Sequence, residues 1–558
     1  MKLFQQMLLA PAALGLLAPM AATASELNID GVNRYADSQE QVTSITQFSD
    51  VQPTEWAYQA LSNLVERYGC VAGYPDGTFR GKRPLSRWEA AALLNACLDR
   101  ITEVTDELRR LMKEFEVELS VLKGRVDGLE AKVGELEANQ FSTTTKLSGQ
   151  ATFIIGANTF GGDQRVFGND TGLSPVINPR FKNLSARQNG ATAFNYDLRI
   201  DLNTSFTGKD LLRTRLRAGN FGNSPFGGQT NIGTAEDPVF VGGLNATEVG
   251  FEEASGANSV GIDRLFYQFP LSSSFTATVG ARVRQDDMLA VWPSVYPADT
   301  VLDIFTYAGA PGAYSLNLGS GAGLWWTSGN FSVSANYVAA NGNFGNVNSG
   351  TTLSGDTDCD NAGGIGNECS AQTGTAQIAY AGDNFGIAAA YTYSSGGAGL
   401  YSGNGTPFAV SAFDSGDNTN SVGISAYWQP SNSGWLPSIS TGWGLNSTND
   451  GGDFDFVDGV VSQSWYVGLQ WTDVFIKGNA AGMAVGQATF VTDTGDNDFD
   501  ANDSNYAWEF WYKFQVTDNI SVTPALYYLS QPLGQIQRVN TNEGYNNFGG
   551  FLKTTFKF

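Results

Sequence analysis

Arg213, Arg215 and Arg217 stand at alternate positions, with Leu212, Thr214 and Leu216 between and beside them. Arg199 lies in a second alternating run, Phe194 to Asn203, with Asp197 and Asp201 at the same parity, and Arg282 and Arg284 repeat the spacing a third time. A period of two puts every member of such a set on one face of a strand. Guanidinium groups fixed along one face can hold anions, pair with carboxylates or polarise a water-filled space. Catalysis of the common hydrolytic kinds is excluded, because the chain contains no histidine. That removes Ser-His-Asp hydrolysis, papain-like Cys-His chemistry and HExxH zinc sites together. The expectation is therefore a protein without catalytic residues, cofactor or bound metal. A barrel lipase is a distant alternative, since its nucleophile would lack a histidine base.

The elements that must carry these arginines are set by composition. Of 558 residues 42% are hydrophobic and 16% charged, with 66 glycines and a net charge of -23. A pI near 4.3 excludes nucleic acid as a partner. Mean hydropathy of -0.18 excludes a polytopic helical membrane protein. Glycine-rich, aromatic-rich and lysine-poor suits a large antiparallel β structure with long polar loops.

Lys2, the apolar stretch through Leu17 and the small-x-small triplet Ala22-Thr23-Ala24 predict a signal peptide over 1–24, cleaved before Ser25, followed by a linker over 25–46. Residues 47–100 read as a small helical module. Trp56, Ala57, Ala60, Leu61 and Leu64 recur at helical spacing, and Pro75-Asp76-Gly77 supplies a turn. Ser86 with Glu89 three residues on forms a capping box for a second helix. Residues 101–139 place Leu108, Leu111, Phe115, Leu119, Leu122, Val126 and Leu129 at steps of three and four, predicting a coiled coil of roughly 58 Å at 1.5 Å per residue.

The order Phe48-Ser49-Asp50-Val51, a Trp-Ala pair, Gly73-Tyr74-Pro75-Asp76-Gly77-Thr78-Phe79 and Ser86-Arg87-Trp88-Glu89 resembles a single S-layer homology (SLH) repeat. That family binds polysaccharide linked to peptidoglycan. The resemblance makes Arg87, with Ser86 and Glu89, the position for an anionic glycan; Trp88 departs from the family's usual alanine. Cys70 and Cys97 fall in this module and are expected to pair, stapling a domain of about 55 residues that would otherwise be marginal.

From residue 141 to 558 the period is two, as in Phe275-Thr276-Ala277-Thr278-Val279 and Phe331-Ser332-Val333-Ser334-Ala335. Tight gaps, near Gly208, Ser273, Gly329, Asp383, Ser433, Asp473 and Asp518, alternate with eight long ones. Seven turns and eight loops join sixteen strands with both ends on the short-turn side, as outer-membrane barrels require. The fold class is mainly β: a 16-stranded antiparallel transmembrane β-barrel, preceded by the helical module and coiled coil. Residues 300–308 are open between a further strand and a folded-in loop. The terminal Phe558 resembles the recognition signal of the barrel assembly machinery.

Signal, SLH module, coil and barrel in this order resemble the cyanobacterial outer-membrane porins grouped with OprB-like carbohydrate-selective porins and often labelled iron uptake porins. The resemblance implies an outer-membrane location, lipid around the barrel, a periplasmic module and a homotrimer. With the apolar parity outward, Arg199, Arg213, Arg215, Arg217, Arg282, Arg284, Asp197 and Asp201 are expected to line the pore. Three arginines on a lipid-facing strand would cost about 2–4 kcal/mol each near the midplane. They either filter anions or pair with Asp197, Asp201, Asp286 and Asp287; both readings stand. Residues 287–320 sit where general porins fold a constriction loop inward, and Asp299 and Asp303 could face the arginines there. Among strand aromatics only Phe266, Trp325 and Trp511 take inward parity, too few for a sugar slide. Acidic clusters at Asp356, Asp358, Asp360 and Glu368 and from Asp493 to Asp503 read as solvated outer loops, with cation capture as the alternative. Cys359 and Cys369 are expected to close a local disulfide. Passive diffusion of ions and small polar solutes is the leading function. A structural tether with a narrow barrel and a carbohydrate or iron channel are the alternatives.

Overall fold

The computed structural model describes residues 44–54, 58–67, 78, 79 and parts of 113–123 in the N-terminal region. From 144 to 558 it describes all but 163–184, 346–363, 451–458, 496–500, 535–543 and scattered loop positions. The chain divides into two compact units, Met1–Gln140 and Phe141–Phe558.

In the first unit, Ser44 caps a short 3-10 helix, Ile45–Gln47, and the Ser44 amide donates to Gln47 Oε1. Helical residues Tyr58–Ser62 and Asn63–Arg67 follow. Ile45, Phe48, Val51, Leu61 and Val65 form a small core, with Phe79 packed edge-on against Phe48. Asp50 accepts from the Phe79 amide at 2.7 Å. Hydrogen bonds from the Ser44 hydroxyl, the Ile45 amide and the Ser62 hydroxyl hold the Glu66 carboxyl below its ordinary value. The described residues between 113 and 123 are helical apart from a turn at Phe115. The remainder of the coiled-coil segment lies outside the described residues, as do Ser86, Arg87, Glu89, Cys70, Cys97, Cys359 and Cys369.

The second unit is built from β1 (Thr145–Gly161), β2 (Ala193–Thr204), β3 (Leu211–Gly219), a loop hairpin of β4 (Asn231–Thr234) and β5 (Asp237–Phe240), β6 (Gly261–Pro270) and β7 (Phe275–Arg284). Then come β8 (Leu318–Ser328), β9 (Phe331–Ala339), β10 (Gln372–Ala381), β11 (Phe385–Ser395), β12 (Gly416–Trp428) and β13 (Ser438–Asp450). β14 (Val460–Thr472), β15 (Ala480–Asp493), β16 (Tyr506–Thr517), β17 (Ile520–Ser530) and β18 (Asn546–Lys557) complete it. All except the loop hairpin close into one antiparallel barrel of sixteen strands. β18 returns to β1 from Gln150 opposite Lys557 to Gly161 opposite Asn546. Phe558 extends that seam, exchanging backbone hydrogen bonds with Gly149.

The burial pattern inverts that of a soluble sheet. Along β9, Phe331 and Val333 are exposed while Ser332, Ser334 and Asn336 are buried, and β11 alternates likewise. Outward apolar side chains meet lipid, and inward polar ones meet the interior. At the tight end, Gly329 takes φ +56 in the two-residue turn between β8 and β9, where glycine avoids the penalty of a left-handed backbone.

The interior is not an empty tube. The loop between β7 and β8 turns inward through a 3-10 helix at Gln285–Met288 and a second at Asp303–Thr306. Of the segment 300–308, the described residues 301–308 are thus part of a folded-in loop and add no strand. A buried loop must find partners for its backbone. Here Ser425, Ser464 and Thr392 on β12, β14 and β11 donate to the carbonyls of Ala308, Gly309 and Ala313 at 2.7–2.9 Å. Gly442 of β13 makes room for it: a Cβ there would stand 1.8 Å from the Ala308 carbonyl oxygen. Val301, Leu302, Ile304 and Phe305 join Tyr466, Ala484, Trp511, Tyr527 and Phe551 of the wall in one apolar cluster inside the barrel. Inward aromatics therefore exceed the three read from parity, since Tyr466, Tyr527 and Phe551 also face the interior.

Candidate functional site

β2 and β3 run antiparallel with Arg199 directly opposite Arg217 and Asp201 opposite Arg215. Two guanidinium groups face to face across a strand pair would repel. Asp197, fully buried, resolves this by bridging both: one oxygen accepts from Arg199 Nε at 2.7 Å, the other from Arg217 Nε at 2.6 Å. Asp201 repeats the device one step along, accepting from Arg213 Nε and Arg215 Nε, both at 2.9 Å. Arg199 also reaches Glu248 at 3.1 Å, and Arg217 stacks 4.4 Å from the Phe251 ring centroid.

The array continues onto β6 and the start of the folded-in loop. Arg264 pairs with Asp263 at 3.0 Å and Asp287 at 2.8 Å, and Arg284 binds both oxygens of Asp286 at 2.6 Å. The pairing alternative for the arginines is thus the arrangement found. Arg199, Arg213, Arg215, Arg217, Arg264 and Arg284 stand against Asp197, Asp201, Asp263, Asp286, Asp287 and Glu248, so the formal charges cancel. Arg213, Arg284 and Asp286 keep 23–26% of their side-chain surface accessible, and Arg199 and Arg215 keep 14–17%.

Arg282 departs from expectation. β7 carries one extra residue between Gly280 and Val283 relative to both neighbours. The bulge flips the parity: Val283 is buried inside with Phe266, Met288 and Val338, while exposed Arg282 stands opposite Leu265 on the outer face. A matching irregularity on β6, between the partners of Arg215 and Leu216, lets the adjacent Asp263 and Arg264 both be buried in the array. Arg264, Asp263 and Glu248 were not singled out from sequence. Arg264 shares the parity of inward Phe266, which was a usable signal; Glu248 lies in a loop and gave none.

Facing the array from the other side, the loop is fastened to β14 and β16. Glu509, fully buried, accepts from the Tyr296 hydroxyl at 2.6 Å and the Leu302 amide at 2.8 Å. Trp511 Nε1 donates to the same tyrosine oxygen at 2.8 Å, and Tyr466 shares a hydrogen bond with Ser294. Asp303 takes the Tyr307 hydroxyl at 2.9 Å and makes no ion pair among the described residues; Asp299 lies outside them. Of the acidic loop clusters, Asp503 is buried and accepts from the Thr406 hydroxyl and the Val491 amide, a structural role in place of the expected solvation.

The family model described as "Carbohydrate-selective porin, OprB family" matches residues 103–558, and an S-layer homology domain model matches 47–91. Protein alr4550 of Nostoc sp. is 35% identical over 579 residues, covering 95% of this chain and 88% of its own. Protein sll0772 of Synechocystis sp. is 31% identical over 570 residues, covering 95% and 93%. Among solved structures, OprB of Pseudomonas putida is similar at a TM-score of 0.43 and 14% identity, over 76% of this chain and 96% of that one. The family match spans the whole barrel and two relatives align almost end to end: this outer-membrane chain, no enzyme, belongs to the OprB family of carbohydrate-selective porins and carries an S-layer homology domain before its barrel.

Proposed function

We propose that the barrel passes inorganic ions and small polar solutes by passive diffusion, and that the N-terminal module holds it to peptidoglycan-linked polysaccharide. The observation that carries the channel reading is the asymmetry of the interior. The folded-in loop is fastened chiefly to the β11–β16 side, with one further bond from the Asp303 amide to the Ala246 carbonyl, while Arg213, Arg215 and Arg284 of the paired array retain accessible side-chain surface. Water against that array is polarised by ordered ion pairs without a net charge, a transverse field that slows no ion by sign alone. Single-channel recording in planar bilayers tests this: discrete conductance steps support a channel. Their absence with correctly folded protein leaves the tether reading.

A carbohydrate channel is the second reading, favoured by the same array. Arginine–carboxylate pairs present both donors and acceptors, the complement that sugar hydroxyls need. Liposome swelling with glucose against potassium chloride of equal osmolarity separates the two.

For the anchor, Arg87 with Ser86 and Glu89 is the proposed glycan position, on the resemblance of Ser86-Arg87-Trp88-Glu89 to the SLH motif. SLH domains usually come as three repeats, and this sequence shows one. A homotrimer joined by a coil over 101–139 would gather three lobes and raise their effective concentration. Arg87→Ala should weaken retention on purified peptidoglycan with its glycan. Polar substitutions at Leu108, Leu111 and Val126 should do the same while conductance is kept.

A further inference from the structure

The short-turn end, which outer-membrane barrels turn to the periplasm, carries an apolar hollow on the outer face of the barrel. It is built on a row across three strands. Trp471 of β14 lies directly opposite Ala481 of β15, and Ala481 directly opposite Tyr512 of β16. All three stand at outward parity, because Tyr466, Ala480, Ala484 and Trp511 take the opposite parity on the same strands and belong to the interior cluster. A methyl group between two aromatic rings leaves a depression. Two turns raise its rim: Trp435 between β12 and β13, and Phe475 between β14 and β15, both line it. The hollow measures about 580 Å³, within the range of small-molecule sites.

The polar handles of the row are already used. Trp471 Nε1 donates to the Trp435 carbonyl at 2.9 Å. The Tyr512 hydroxyl donates to the Val474 carbonyl at 2.8 Å and accepts from Asn479 Nδ2 at 3.0 Å. Each bond fastens one turn to the strands, so the walls stand before any ligand arrives. The β14–β15 turn is closed further by the Asp473 carboxylate, which accepts from the Gly478 amide at 2.7 Å. Its backbone is left-handed at Phe475 (φ +62), a conformation bulky side chains rarely adopt. Phe475 and Trp435, 90% and 84% exposed, are the two most exposed large apolar side chains among the described residues. Aromatics at a membrane interface ordinarily keep a polar tip for the wet side; this cluster offers ring faces alone. Lys477 follows Phe475 and Ile476 in the turn, is exposed and forms no ion pair among the described residues.

Two observations name the occupant. The next outward row on the same strands, Leu469, Met483 and Phe510, continues the hollow into the apolar face that meets lipid. At the other end Lys477 supplies a cation where a phosphate would lie. We propose that the hollow holds an acyl chain of one glycerophospholipid of the periplasmic leaflet, with the lipid phosphate beside Lys477. The site is independent of whether the barrel conducts. The test titrates the full-length protein in detergent with phosphatidylglycerol, or with diacylglycerol of the same chains, and reads bound lipid by native mass spectrometry. Wild type should keep one phosphatidylglycerol after washing has removed the rest. Ala481→Phe, which fills the gap in the row and leaves both turns as they are, should weaken that binding roughly tenfold. Trp435→Ala with Phe475→Ala should do the same, and both variants should keep the folded mobility on gels. Lys477→Gln should lower phosphatidylglycerol binding to the level of diacylglycerol, which has no phosphate. Equal retention by wild type and Ala481→Phe would overturn the hollow as the site. Equal binding of the two lipids by wild type would overturn the phosphate contact. A wild type that keeps no lipid, and whose oligomer falls apart when Trp435 and Phe475 are replaced, would assign the hollow to a second copy of the chain and overturn the proposal.

Discussion

Asp197 is the residue on which the arginine array turns. It is fully buried and is the shared acceptor of two guanidinium groups that stand directly opposite each other. Removing its charge leaves both cations with one fewer partner, and breaking a buried pair costs more than the pair contributes. Asp197→Asn is expected to destabilise the barrel by about 3 kcal/mol, the lower end for buried pairs because both arginines retain some accessibility. A lowered temperature for the heat-induced mobility shift on gels checks this; an unchanged temperature would mean Glu248 and solvent suffice. Asp210 plays a different part in the turn between β2 and β3. It accepts from the Tyr267 hydroxyl, the Ser205 and Thr207 hydroxyls and the Phe206 and Thr207 amides. The Tyr267 hydroxyl foremost, opposed next by burial and then reinforced by the Thr207 and Ser205 contacts, holds its carboxyl well below the usual carboxylate range. A depressed carboxyl contributes stability at all pH above its unfolded value of 3.8, and that contribution fades as pH falls toward the folded value. The turn should therefore hold unchanged from pH 8 to about 5 and loosen only in stronger acid. Asp210→Ala should speed trypsin cleavage after neighbouring Lys209 at pH 8 several-fold, and equal cleavage rates would contradict the role.

At the scale of elements, the alternation of short turns and long loops was readable because lipid forces every second side chain to be apolar for a whole strand. Sixteen strands followed from that count. What the period could not show was where it slips. A one-residue bulge has no composition of its own, so Gly280-Ala281-Arg282-Val283 looks like continuous strand while its parity flips. Arg282→Cys is accordingly expected to be quenched by lipid-borne quenchers after labelling, whereas Arg215→Cys should react with water-soluble thiol reagents and escape those quenchers. The same accessibility for both positions would remove the bulge from the account. The docked loop was half legible. Its position and its Pro-flanked aromatics suggested folding inward, but its partners are serines, threonines and glycines scattered over β11 to β14. Small polar residues at inward parity read as channel lining, and only their contact with a loop more than a hundred residues away shows them to be a docking surface. Tyr466 was legible in hindsight, since it shares parity with Ser462, Ser464 and Gly468.

For the whole molecule, the arginines at period two marked the right wall but not its electrostatics. Counting cations along β3 gave a basic surface; the carboxylates that cancel it come from β2, β6 and two loops, which only the closed barrel brings together. A barrel with a fastened loop on one side and a neutral paired wall on the other is expected still to conduct. The most direct test is single-channel recording of the full-length protein in planar bilayers under a potassium chloride gradient. Stable conductance steps are expected, with a reversal potential that Arg213→Ser with Arg215→Ser moves toward cations, since Asp201 then loses both of its guanidinium partners. Protein that inserts, shows its folded mobility on gels and never steps would contradict that expectation.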